Sequence, residues 1–349
     1  MKLCVFNPSH DMAMAYGSKP FTPPRIALRM WETMGEIANL WGEEGDVALT
    51  KALVENKVDL SGVTYVEPWG WDEHLRKRLL KLGINEDCMP DAATVERIRQ
   101  LSNRRTYVDL LSTLRCECRE TVGEARYLQD ASSLNGSTNI ILKAPWSSSG
   151  RGVRAMNEKT MPWAEKTIRE QGGIMVEPLY NKVCDFAMEF VWNPIGVRQI
   201  EYLGLSLFRN TNDGRAYEGN ILASEEYKQQ LLSRYVDIEL VAKVRRVIAA
   251  WMAKQLKGLD VTMPFGVDMM IVDEGGKLKL HPCVEVNLRR TMGYVALKVY
   301  DQIRRGMLNE NIIYNGTEYE KENFVGYFSV DANNGKCTVC KQGMESRQW

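Results

Sequence analysis

The sequence predicts an α/β protein built of α+β lobes, and three observations predict it. Strand-like and helix-like segments alternate along the chain, which excludes an all-α or all-β architecture. A first short strand is followed at once by turn residues and helical patterning, as in a βα unit. Further on, two apolar alternating runs flank the turn "DEGG", which is the signature of a long hairpin.

Taken in order, Lys2 to Phe6 reads as the first strand. The segment "NPSHD", Asn7 to Asp11, follows it. Ligands gather beyond the carboxyl ends of strands in α/β sheets, so His10 is a candidate substrate residue. The same residues also favour a plain Asx or Ser turn. Met30, Trp31, Met34, Ile37 and Trp41 recur at helical spacing, and Val63 to Val66 is another short strand. In "EPWGWDEHLRKRLLKLG", Leu75, Leu79 and Leu82 share a helical face that Gly83 stops. A helix from Ala92 carries Val95, Ile98 and Leu101 on one side, and Asn139 to Leu142 is a buried strand. Ser224 to Lys257 reads as one long helix with Leu231, Tyr235, Ile238, Val241, Val244 and Ile248 inward. The hairpin runs from Phe265 to Val272 and returns from Lys277 to Asn287.

At 349 residues the chain is long enough for two or three lobes at roughly 150 residues each. Forty-five basic and forty-five acidic side chains cancel, so no global field draws it to nucleic acid or anionic lipid. No apolar run approaches the roughly 20 residues of a membrane span. The N-terminal "MKLCVFNPSHDMA" lacks the form of a signal peptide, so the cytoplasm is the expected compartment. Eight cysteines fit that expectation. Cys4, Cys184 and Cys283 lie in apolar runs and read as core. Cys116 and Cys118 with Cys337 and Cys340 could hold zinc, but one pair is CxC, which favours free thiols. Cys337 and Cys340 sit near a polar C-terminal tail, where local disorder is expected.

Three segments carry chemistry. "KAPWSSSGRGV", residues 143 to 153, places a lysine and small flexible residues after a buried strand. It is either a loop whose N–H groups close over phosphates or a surface loop between strands. In the hairpin, Glu285 and Asn287 are spaced by two and project to one side, where Asp268 can join them if the strands pair antiparallel. Two carboxylates and an amide oxygen form a hard, all-oxygen site of the kind Mg²⁺ accepts. The alternative is a pair of edge-strand carboxylates held by Arg289 and Arg290. "SLFRNTNDGRAYEGN", residues 206 to 220, offers Arg209, Arg215, Tyr217 and Asn220 as a grip on phosphate or carboxylate, or as a solvated loop.

With these residues in view, the sequence resembles the ATP-grasp superfamily over about residues 100 to 305. The resemblance rests on "SNRRTYVDLL", "IILKAPWSSSGRGV", "IMVEPLYNKVCDF" and "FGVDMMIV…HPCVEVNLRRTMG", in the family's order. It implies an ATP-grasp fold with an N-terminal α/β pre-grasp domain. The expected divisions are 1–95 for that domain, 96–190 for a lid lobe with the flap, 191–320 for the large lobe, and 321–349 for a tail. The implied cofactors are ATP and Mg²⁺, usually two ions, with Mn²⁺ able to substitute. Lys143 matches the phosphate-reaching lysine, and Ser147 to Gly152 match the flap, with Ser148, Ser149, Gly150, Arg151 and Gly152 as its nucleotide-binding residues. Glu177 and Leu179 match the hinge that reads adenine, Glu177 taking the N6 proton, and Asp185 lies near the ribose position. Asp268, Glu285 and Asn287 match the metal ligands and Arg289 the phosphoryl-stabilising arginine. Arg104 stands where many members have a second lysine. His10, Arg209 and Asn220 are the substrate candidates. No arginine precedes Asp268 by two, unlike the D-alanine ligases, and the N-terminal 90 residues match no member.

The implied activity is ATP-dependent ligation of a carboxylate to an amine through an acyl phosphate. A small-molecule kinase and a nucleotide binder without turnover are the alternatives. Partners would be small molecules, not nucleic acid or membrane, with a homodimer an open possibility.

Overall fold

The protein is described here by a computed structural model, covering residues 1–147, 152–211, 217–307, 312–315, 324–331 and 336–341. Its strands form three sheets. The N-terminal sheet is parallel, with Lys2–Val5 in the centre between Val47–Ala48 and Tyr65–Pro68. The helices His10–Tyr16, Arg25–Met34, Lys51–Glu55, Glu73–Lys81 and Ala92–Leu101 belong to this region. Local signals start two of them: the Asp72 and Asp91 side chains accept from the N–H groups of Leu75 and Thr94. The helical pattern from Met30 to Trp41 is not one helix. It tightens at Gly35 into a 3₁₀ segment, Gly35–Leu40.

The second sheet is antiparallel, in the order Arg126–Leu128, Ile174–Pro178, Ile140–Lys143, Val153–Ala155. Leu134, Leu142, Ile174 and Val176 bury its apolar side with Ala164 of the helix Met161–Gln171.

The third sheet has eight strands, in the order Lys277–Asn287, Met263–Glu274, Lys182–Trp192, Ile200–Asn210, Tyr217–Leu222, Gly326–Asp331, Lys336–Lys341, Ile312–Asn315. Only the last pairing is parallel. Val241, Val244, Ile248, Met252 and Leu256 of the helix Ile238–Leu256 share a core with Phe186, Phe190 and Phe265. The helix Met292–Arg305 contributes Tyr294, Val295, Val299 and Ile303 to a second core, which also takes in Phe6, Trp41 and Trp69 of the N-terminal unit.

Three expectations are corrected at this level. The stretch from Ser224 to Lys257 is two helices, Glu225–Leu232 and Ile238–Leu256, because Ser224 and Asp237 each cap a new start. The strand Lys182–Trp192 belongs to the large sheet, so the sheets part between Pro178 and Lys182 and not at 190. Residues 326–331 and 336–341 are paired strands of that sheet, with Phe328, Cys337 and Val339 buried, so this part of the chain is no mere tail. All eight cysteines are free thiols. Among the described residues no helix is long and apolar enough to cross a membrane.

Candidate functional site

The hairpin at one edge of the large sheet brings the expected oxygens together. Asp268 stands directly opposite Glu285, and Gly266 opposite Asn287, with a bulge just beyond Asp268. Cross-strand neighbours share a face, so all three side chains converge. The Asn287 Nδ2 amide donates to Asp268 Oδ2 at 3.1 Å. Burial pushes the Asp268 carboxyl up to about 7, and the facing Glu285 pushes the same way, against the pull of Arg289. Surplus negative charge packed out of water is what a cation relieves. The donor set is two carboxylates and one amide, all hard oxygens, and it fits Mg²⁺. Among the described residues no group of three or more His, Cys, Asp or Glu could hold a metal, so the set depends on Asn287 for its third oxygen.

From the second sheet, Lys143 reaches across to this hairpin. Its Nζ donates to Glu177 Oε2 at 2.7 Å and to the Val284 carbonyl at 3.1 Å. Lys143 is 5% exposed and Glu177 2%. The Tyr107 hydroxyl donates to the other Glu177 oxygen at 2.5 Å, and burial beside that carboxylate keeps the phenol well above its usual range. Both oxygens of Glu177 are therefore engaged. The side chain expected to read adenine is instead a buried counter-ion for Lys143. The Leu179 side chain is exposed and its N–H already donates to the Asn139 carbonyl at 2.8 Å.

Arg104 is also taken up by protein groups. NH1 donates to the Ala144 carbonyl and to Ser147 Oγ, and NH2 donates to Ser147 O and, at 2.6 Å, to Glu285 Oε1. Its Nε is buried without a partner. The ion pair on Glu285 thus comes from Arg104, not from Arg289 or Arg290. Arg290 is held by Glu67 and the Pro68 carbonyl. Arg289 is held by Asp11, whose two oxygens accept from Nε at 3.0 and 3.1 Å. Burial works to raise the Asp11 carboxyl, yet Arg289 and His10 overcome it and hold Asp11 well below the usual carboxylate range.

Between the sheets and the N-terminal unit lies a narrow cleft, lined among others by Asp11, Trp146, Ser147, Glu285, Asn287 and Arg289. The remaining predicted residues divide. Asp185 accepts from Lys182 Nζ and Asn210 Nδ2, on a strand adjoining that of Asp268. Gly152 packs so closely on Ser147 that a Cβ would sit 2.3 Å from its side chain. Ser148, Ser149, Gly150 and Arg151 lie outside the described residues, as does Arg215. His10 also lines the cleft but is 2% exposed, with its ring nitrogens 3.1 Å from Asp11 Oδ1 and 3.2 Å from the Trp71 carbonyl. Asn220 is fully buried, donating to Ser206 Oγ and accepting from the Tyr217 hydroxyl. It is a core residue of the sheet, and gripping a substrate would break those bonds. Arg209 stands opposite Gly219 in the same part of the sheet and is not among the residues that line the cleft.

Sequence reading missed Tyr107, Asp11 as the partner of Arg289, and Gly70. A Cβ on Gly70 would lie 2.5 Å from His10 Nε2 and 2.8 Å from the Arg289 Cβ. Only Asp11 carried a signal, as the neighbour of His10 in "NPSHD".

No protein-family model and no curated protein matches the chain. Three solved structures are among those similar to it. N5-carboxyaminoimidazole synthetase from Staphylococcus aureus, complexed with ADP, is 12% identical over 94% of this chain and 82% of its own, with a TM-score of 0.48. Biotin carboxylase from Campylobacter jejuni is 10% identical over 94% of this chain and 75% of its own, with a TM-score of 0.47. The synthase from Aspergillus clavatus, in complex with ADP, is 12% identical over 94% and 81%, with a TM-score of 0.46. This is a likeness of overall fold, too loose to carry an activity.

Proposed function

We propose that the chain is an ATP-dependent ligase that activates a carboxylate as an acyl phosphate for attack by an amine or similar nucleophile. One observation carries the reading: Asp268, Glu285 and Asn287 meet on one face of a hairpin that Lys143 contacts from the opposing sheet, and Glu285, Asn287 and Arg289 line one cleft. Nucleotide phosphates need positive charge from side chains and a cation held by oxygens, and this cleft has both kinds of group.

Mg²⁺ held by Asp268, Glu285 and Asn287 would neutralise phosphate charge there. Lys143 has two of its three donors engaged, which leaves one for a phosphate oxygen. Its buried pair with Glu177 keeps the ammonium in place. The Arg289 guanidinium stabilises negative charge on the transferred phosphoryl. With the Glu177 carboxylate closed off, base recognition passes to the hinge backbone around residues 177–179.

The test is hydroxylamine trapping with ATP, Mg²⁺ and a panel of amino acids and small carboxylates. An acyl phosphate yields a hydroxamate together with ADP. ADP without hydroxamate, on an alcohol acceptor, makes the protein a kinase. Nucleotide binding without ADP release under any acceptor makes it a binder, and the ligase reading fails.

A further inference from the structure

We propose that Asp11, carried by the N-terminal unit, is the positioning residue for Arg289: it holds the guanidinium in the cleft and away from the metal-binding carboxylates. This rests on the nucleotide reading of the site. The contact spans 278 positions and joins the segment after the first strand to the end of the metal-bearing hairpin. Both Asp11 oxygens accept from the same nitrogen, Nε, while NH1 donates to the Arg290 carbonyl at 3.1 Å. Two of the three guanidinium nitrogens are thus fixed by protein, and NH2 has no partner among the described residues. A rigid fork with one end pinned and the other open suits an anion that arrives later.

The chemistry of the cleft explains why a third carboxylate is tolerated there. A polyphosphate site already holding Asp268 and Glu285 gains nothing from another negative charge unless that charge does something else. Without Asp11, Arg289 has two carboxylates within its pull, for both Asp268 and Glu285 act on it. Arg104 already takes Glu285 Oε1, so a second arginine on Glu285 or Asp268 would crowd the oxygens left for a metal and draw the phosphoryl-binding cation out of the cleft. Asp11 offers a stronger, already formed alternative.

The surroundings hold Asp11 in turn. His10 lies against Asp11 Oδ1 on one nitrogen and the Trp71 carbonyl on the other. Asn7 ties the two loops beyond the strands Lys2–Val5 and Tyr65–Pro68, donating to the Gly70 carbonyl at 2.8 Å and to Asp72 Oδ2 at 2.9 Å. Gly70, with no Cβ, leaves room for both His10 and Arg289 to pack against the loop at one point.

The experiment compares affinities, by thermal shift, for ADP with Mg²⁺ and for the non-hydrolysable β,γ-imido analogue of ATP with Mg²⁺. In the parent the imido analogue binds more tightly, because Arg289 meets its terminal phosphoryl. Asp11→Asn is expected to lose about tenfold of that preference while ADP affinity stays the same, and Asp11→Glu to regain part of it. Arg289→Lys should remove the preference, and Asp11→Asn should cost nothing further on that background. The proposal is overturned if Asp11→Asn keeps the parent preference, weakens both nucleotides equally, or adds its full effect to Arg289→Lys. It is likewise overturned if the parent shows no preference. A parent that binds neither nucleotide sinks the nucleotide reading, and this inference with it.

Discussion

At the scale of single residues, Glu285 and Lys143 separate chemistry from stability. Glu285→Gln removes a charge but leaves an amide oxygen that still accepts from Arg104 NH2, so the fold should survive. Turnover should fall about 100-fold or more, together with the Mg²⁺-dependent part of nucleotide affinity. Parent-rate ATP hydrolysis by this variant, on a proven substrate, would refute the metal assignment. Lys143→Met does the opposite. It strands the buried Glu177 charge with only Tyr107 as a donor, which should cost about 3–5 kcal/mol of stability in urea unfolding. Adding Glu177→Gln should recover part of that loss. If Lys143→Met unfolds at the parent urea concentration, the buried pair does not stabilise the fold as described.

At the scale of elements, function depends on how the ends of strands meet. The loop after Tyr65–Pro68 and the start of the helix His10–Tyr16 close on Arg289 with no room for a methyl group at Gly70. Gly70→Ala should therefore displace Arg289, at a stability cost of about 1–3 kcal/mol. Catalysis should drop far more than the melting temperature does, since a shift of about 1 Å can cost on the order of 100-fold in rate. A Gly70→Ala enzyme with unchanged kcat would show that this close approach is incidental.

At the scale of the whole molecule, two measurements report on the assembled sheets. ATP with Mg²⁺ at 100 times its dissociation constant should add about 2.7 kcal/mol to stability, less without the cation. An unmoved melting temperature would count heavily against the site. The second concerns Glu189, buried in the large sheet, where Thr291 Oγ1 donates to it at 2.7 Å. Burial raises its carboxyl from 4.5 to about 8. A raised acid contributes stability that is fully present below pH 4.5 and lost as the pH climbs to about 8. Stability of the parent should therefore fall across that window, and Glu189→Gln should flatten the slope. Asp268, raised to about 7, adds a slope of the same sign in metal-free protein, so the difference between parent and variant is the quantity to read. Equal slopes in the two proteins would show that Glu189 ionises normally.

The sequence by itself determined what local geometry controls. Glu285 and Asn287 share a face because side chains on a strand repeat every two residues. The turn "DEGG" alone would set Asp268 against Cys283, and it is the bulge just beyond Asp268 that brings it opposite Glu285. Lys143 at the end of a buried strand was legible for the same reason. Only the tertiary structure decided which charges meet. Arg104 pairs with Glu285 across 181 positions and Asp11 with Arg289 across 278, and no spacing rule reaches that far. Glu177 reads in the chain as a free hinge carboxylate, yet folding brings it both Tyr107 and Lys143. Asn220 reads as a polar loop residue, yet it is sealed inside a sheet. Burial and partner choice follow from how the sheets close on one another, and that closure draws on apolar contacts spread over the whole chain.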